Sequence, residues 1–273
     1  MDVTDEVILY LLEKEEQLMP LKASLGAPYG WRARVGMITP SPGHENNAYE
    51  FYLIAPEGVT VCMTSLQVMG LTQEQYSGAL TRMEAAVAEM VSRKVDVIVQ
   101  AGVPLTVTQG WDYHNKLGSE VAKLTNIPFV TDIGACMEAM QALGIRRVVM
   151  ITPFDDPMHD QLTRYVSNAG IQVLTAQSIR LPTAAEISRH YEVSTVPLSV
   201  PYHAAKSLFR STPNADGIWI TGALMPSVAA IQPLEEDLNV PVVTSMQAMA
   251  WAGLKLAGVK AEITGYGRLF QHV

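Results

Sequence analysis

The chain has two cysteines in 273 residues, Cys62 and Cys136. Two widely spaced thiols form neither a disulfide framework nor a zinc set. The six histidines, 44, 114, 159, 190, 203 and 272, are scattered without ligand spacing, so no metal site is expected. There is no run of basic residues, and the net charge is −8. Phosphate backbones demand clustered Lys and Arg, so nucleic acid is excluded as a partner. No apolar stretch approaches the ~20 residues of a membrane helix. The first twenty residues mix acids with leucines and lack the basic start and apolar run of a secretion signal. The expectation is a cytoplasmic protein without membrane contact.

Charged residues are scarce at 17%, and hydrophobic ones make up 48%. That balance supports a large core and argues against disorder. Residues Asp2–Leu25 read as an amphipathic helical extension, which points to packing or to a homo-oligomer contact. Beyond it, short apolar runs alternate with amphipathic stretches. The expected strands are Arg34–Thr39, Val59–Met63, Val95–Gln100, Phe129–Thr131, Arg147–Ile151, Ile171–Ala176, Gly217–Thr221 and Val242–Thr244. The expected helices are Thr72–Ser92, Asp112–Leu124, Ile133–Leu143, Asp156–Ala169, Pro201–Ser211, Val228–Leu238 and Ser245–Leu256. Such alternation predicts an α/β fold with parallel sheets covered on both faces. The motif R-V-x-M-I-T-P occurs twice, at 34–40 and 147–153, each on the first strand of a half, which points to internal duplication.

Ligands of open parallel sheets bind at the carboxyl ends of strands, so four loops matter. The loop Thr39–Asn47 carries Ser41, His44, Glu45, Asn46 and Asn47. Turn chemistry explains such residues as readily as binding does. The loop Thr152–His159 carries Asp155, Asp156 and His159; Asp155 or Asp156 also suits a helix cap, and His159 also suits a solvated helix face. The loops Gly102–Gly110 and Thr221–Ser227 each place a glycine directly after an apolar strand. There free backbone N–H groups can hold a carboxylate without a charged side chain. A plain tight turn is the alternative. The 102–110 loop is no GxGxxG fingerprint, so no nucleotide cofactor is expected.

These loops carry a family resemblance. Arg34–Leu66 contains T-P-S-P, a polar loop, Glu50-Phe51-Tyr52 and Pro56-Glu57-Gly58-Val59. Pro226–Trp251 contains Leu234-Glu235, Pro241-Val242, Ser245, Gln247, Ala248 and Trp251. In order and spacing, over roughly residues 34–268, the chain resembles the aspartate/glutamate racemase superfamily, in the branch of maleate cis-trans isomerases and arylmalonate decarboxylases. The resemblance implies two Rossmann-like halves related by pseudo-twofold symmetry, with the active site in the crevice between them. It divides the chain into the extension 1–30, a first half of 31–131 and 250–273, and a second half of 132–249. It also implies a cofactor-independent enzyme.

That superfamily moves protons with one cysteine per half, and the decarboxylases keep only the second. Here Gly102 stands at the first position and Gly222 at the second, or Ala223 with a slip of one residue. Phe154 replaces a tyrosine usual after the second T-P. Cys62 and Cys136 read as buried core thiols. What the resemblance leaves is a crevice for a small carboxylate, formed by Ser41, Asn46, Asn47, Gly102, Val103, Pro104, Thr152, Phe154, Thr221, Gly222, Ala223 and Ser227. The candidate proton-transfer groups are His44 and Glu45, then Asp155 and His159. Three functions are compatible: a decarboxylase-like lyase without the thiol, an isomerase or racemase, and a hydrolase, hydratase or non-catalytic carboxylate binder.

Overall fold

The computed structural model describes residues 27–42, 45–69, 73–179 and 189–272. The extension read at Asp2–Leu25, Thr72 and His44 lie outside the described residues. The first part of the chain runs β1 (Ala33–Thr39), α1 (Glu45–Ile54), β2 (Val59–Ser65), α2 (Gln73–Leu80), α3 (Met83–Ser92), β3 (Val97–Gln100), α4 (Val103–Val107), α5 (Tyr113–Val121) and β4 (Phe129–Thr131). It continues with α6 (Asp132–Ala142), β5 (Arg147–Thr152), α7 (Asp156–Ser167), β6 (Gln172–Ser178), α8 (Arg189–Ser194), α9 (Ser199–Ser211) and β7 (Gly217–Ile220). Then come a 3₁₀ turn (Val228–Ala230), α10 (Ile231–Leu238), β8 (Val242–Thr244) and α11 (Ser245–Leu256).

The strands form two four-stranded parallel sheets, β2-β1-β3-β4 and β6-β5-β7-β8. The identical order in both follows the sequence duplication. The central strands are buried along their length: every residue of β3 and β7 is buried, which is why they read as unbroken apolar runs. Helices α6 and α11 start directly after the last strand of each sheet. Thr131 and Thr244 cap them, accepting from Gly134 and Gln247. These two helices pack against each other in the interior, beside the fully buried Trp219 and Trp251.

Three expectations differ from the structure. The stretch read as one helix from Thr72 to Ser92 is two helices, broken at Thr81–Arg82, where the Arg82 guanidinium turns back to the Leu66 carbonyl at 2.7 Å. Glu45–Ile54, read partly as loop, is a helix; its buried face is Asn47, Glu50, Phe51 and Ile54, half of it polar. The helix expected from Val228 starts as a 3₁₀ turn and becomes α-helical at Ile231; Pro233 falls in its first turn, where no N–H is required.

Candidate functional site

In each sheet the strand order reverses between the first and third strands of its half. Such a switch point opens a crevice beyond the carboxyl ends of those strands. The two crevices face each other and merge into one cavity. Thr39, Pro40, Ser41, Ala101 and Gly102 line it from β1 and β3, and Pro153, Phe154, Gly222 and Ala223 from β5 and β7. Asn47, Tyr76, Pro104, Val193 and Leu224 complete the wall. The lining is mostly apolar. Among the described residues no Lys, Arg, His, Asp, Glu or Cys contributes to it, and Tyr76 is the ionisable side chain present.

The two glycines and the repeated prolines fit together. Gly102 has φ +94° and Gly222 has φ +104°, a region that side chains disfavour. A Cβ at Gly102 would stand 2.7 Å from Pro40, and one at Gly222 2.8 Å from Pro153. Each T-P of the repeat therefore packs on the glycine of its own half. This is a second reason, beyond backbone conformation, for glycine at both positions.

The glycine N–H groups, expected to be free, are taken. Gly102 N donates to Asp132 Oδ2 at 3.1 Å, and Gly222 N to Ser245 Oγ at 3.1 Å. Asp132 and Ser245 are the first residues of α6 and α11, so they are mates under the pseudo-twofold. They are neighbours: the Ser245 hydroxyl and the Val103 amide both favour the charged form of the Asp132 carboxyl. The Cys136 thiol lies 3.5 Å from Asp132 Oδ1. Asp132, Ser245, Val103 and Cys136 are buried, and Gly102 is partly exposed. Burial pushes the Asp132 carboxyl up to about 6, against the pull of its donors, and pushes the Cys136 thiol well above its usual range. The signal in the sequence was a second repeat, V-T-D at 130–132 and V-T-S at 243–245.

Helix α1 reaches across to the second half. Asn47 Nδ2 donates to the Ala223 carbonyl at 3.0 Å, and Asn46 Nδ2 to the carbonyls of Ser194 and Leu224. One turn on, Glu50 Oε1 accepts from the amides of Ser227 at 2.6 Å and Val228 at 2.8 Å. Glu50 Oε2 is buried without a hydrogen-bond partner among the described residues. Burial raises the Glu50 carboxyl to about 7, the two amides opposing it. Because the folded value exceeds the unfolded one near 4.5, folding takes up a proton between those values, and stability falls as pH rises through them. Between pH 6 and 8 the wild type is expected to lose about 1–2 kcal/mol from this group. Chemical denaturation of Glu50→Gln across that range should lose most of the slope; an unchanged slope would show Glu50 ionised throughout.

The candidates from the sequence fall into three sets. Ser41, Asn47, Gly102, Pro104, Phe154, Gly222 and Ala223 line the cavity. Asn46, Val103, Thr152, Thr221 and Ser227 are set back from it. Thr221 Oγ1 meets Ser245 at 3.4 Å, and Thr152 Oγ1 meets His159 Nε2 at 2.6 Å. Of the proposed proton-transfer groups, Glu45, Asp155 and His159 do not come together. Glu45 is exposed at the start of α1, and Asp155 is an exposed cap that accepts from Met158. His159, open to a solvated reading, is buried against Thr152. Cys62 and Cys136 are both buried, and neither lines the cavity.

A family model, "Arylmalonate decarboxylase", matches residues 35–270. The chain is 25% identical over 252 residues to a maleate isomerase of Geobacillus stearothermophilus, covering 86% of this chain and 96% of that protein. It is 26% identical over 208 residues to an arylmalonate decarboxylase of Bordetella bronchiseptica, covering 76% and 84%. Among solved structures, a mutant maleate cis-trans isomerase of Nocardia farcinica, with a covalently bound succinylcysteine intermediate, superposes with a TM-score of 0.78. The identity is 20%, and the match covers 88% of this chain and 99% of that one. A liganded double mutant of arylmalonate decarboxylase superposes with a TM-score of 0.79 at 22% identity, covering 88% and 100%.

Proposed function

The chain belongs to the arylmalonate decarboxylase family, and from that premise we propose that it is a lyase that decarboxylates a small malonate-type acid with an apolar substituent, without a thiol. The observation that carries this reading is the wall of the crevice, which is apolar apart from Thr39, Ser41, Asn47 and Tyr76. One substrate carboxylate is held by the Ser41 hydroxyl and by the amides of Ala223 and Leu224. Those amides have no partner among the described residues. The apolar substituent and the second carboxylate lie against Pro40, Pro104 and Phe154.

An apolar wall solvates that second carboxylate poorly, which favours its departure as neutral carbon dioxide. The bond from the α-carbon to the departing carboxylate breaks. Its electron pair stays on the α-carbon and spreads into the retained carboxylate as an enediolate, which the same donors stabilise. Tyr76 then gives its phenolic proton to the α-carbon and recovers one from water. Of the donors read from the sequence, Glu45, Asp155 and His159 face elsewhere; His44 remains the second candidate, and His44→Ala beside a Tyr76 variant separates the two.

The second reading is cis-trans isomerisation of a dicarboxylate, favoured by the similarity to maleate isomerases. It lacks a nucleophile here, since no cysteine lines the crevice among the described residues. The test is to offer the purified protein phenylmalonate and maleate. Carbon dioxide and phenylacetate are expected from the first, and no fumarate from the second. Fumarate without decarboxylation would replace the first reading by the second; no product from either would leave a hydrolytic or non-catalytic carboxylate binder.

A further inference from the structure

The two walls of the crevice begin with the same positive-φ glycine and have opposite chemistry behind it. In the second half, the Gly222 amide rests on a neutral hydroxyl, Ser245, and the next two amides carry no hydrogen bond among the described residues. In the first half, the Gly102 amide rests on a carboxylate, Asp132, whose charge the Val103 amide also favours, and the residue after them is Pro104, which has no N–H. The amides that would hold an anion on that side already hold one belonging to the protein.

Asp132 is wholly buried on the inner side of the cavity wall, separated from the space by the Ala101–Gly102 backbone, both residues of which line it. Among the described residues no Lys, Arg or His contacts its carboxylate; the Gly102 amide and the Cys136 thiol do, with Ser245 beside them. Hydrogen bonds delocalise this charge but do not cancel it.

We infer that Asp132 sets the charge preference of the crevice: the site holds one carboxylate, on the Ala223–Leu224 side, and rejects a second carboxylate bound on the Gly102 side. The substrate class narrows accordingly, to acids whose retained carboxylate lies at one end and whose opposite end is apolar or is the carboxylate to be expelled. This inference rests on the carboxylate-binding reading above. Asp132 touches no substrate; it is a specificity-determining residue acting through the Gly102 turn and through its field.

The experiment is equilibrium binding of two ligands that differ by one carboxylate and do not decarboxylate, 3-phenylpropionate and phenylsuccinate, measured by calorimetry at pH 7.5. The wild type is expected to bind 3-phenylpropionate at least about tenfold more tightly, the size of effect a buried charge exerts across several ångströms of protein. Asp132→Asn keeps an acceptor for the Gly102 amide and removes the charge. It should bind phenylsuccinate about tenfold more tightly than the wild type does, with 3-phenylpropionate altered less than threefold. Asp132→Ser, which copies the arrangement at Ser245, carries the same expectation should the asparagine variant not fold. A wild type that binds phenylsuccinate as tightly as 3-phenylpropionate overturns the inference, as does an unchanged preference in a folded variant, and both leave the carboxylate reading standing. A wild type that binds neither ligand overturns that reading, and the inference with it.

Discussion

Tyr76→Phe is expected to lower turnover of a substituted malonate by roughly 10²–10⁴-fold, the usual share of a positioned proton donor. Tyr76 is 3% exposed overall yet lines the cavity, so its ring is fixed by the fold while its side chain borders the substrate space. The substitution deletes one oxygen and leaves the ring packing. Binding of 3-phenylpropionate should therefore stay close to wild type while kcat falls. Equal loss of kcat and of ligand affinity would assign the hydroxyl to binding. Unchanged kcat would remove Tyr76 from proton transfer and turn attention to His44.

Gly222→Ala is expected to destabilise the fold by roughly 2–4 kcal/mol, from an unfavourable backbone region together with overpacking. The added Cβ meets Pro153 at 2.8 Å, and proline is a rigid ring that cannot swing aside. Gly170 supplies the control. It too has a positive φ, +79°, but nothing lies within 4 Å of the Cβ position, so Gly170→Ala should cost only the backbone part, about 1–2 kcal/mol. In a chain of this length each kcal/mol moves the melting temperature by roughly 2–4 °C. Thermal denaturation should show Gly222→Ala melting well below Gly170→Ala, and Pro153→Ala added to the first should return part of the loss. Equal melting temperatures for the two single variants would mean the turn relaxes and the T-P packing is not what fixes it.

The sheets were legible because strands buried on both faces write themselves as continuous apolar runs, as in VDVIVQ and GIWIT. The R-V-x-M-I-T-P repeat located the first strand of each half, and the glycines after β3 and β7 marked two walls of the crevice. Helix α1 was less legible for a physical reason. Its inward stripe, 47, 50, 51 and 54, has perfect helical spacing, but Asn47 and Glu50 are polar because they serve the other half of the molecule rather than a core. Period alone could not distinguish them from a solvated loop.

The glycine amides failed for a related reason. Local sequence says that such N–H groups are free, and they are filled by side chains 30 and 23 residues further on. The same gap hid Asp132 and Ser245, whose role depends on the closure of two sheets and not on any neighbour in the chain. His159 and Asp155 were candidates because a polar residue in a strand-end loop reads alike whether it faces a ligand, a threonine, as His159 does, or its own helix, as Asp155 does.

We propose that this crevice removes carbon dioxide from a malonate and returns a proton from one face, using a phenol in place of a thiol. The direct measurement is the reaction of 2-methyl-2-phenylmalonate in heavy water, followed by proton NMR and chiral separation of the 2-phenylpropionate. One deuterium at the α-carbon and one enantiomer in excess are expected with the wild type, and a slow reaction to the racemate with Tyr76→Phe. A racemic product from the wild type, or the same enantiomeric excess from both proteins, would contradict it.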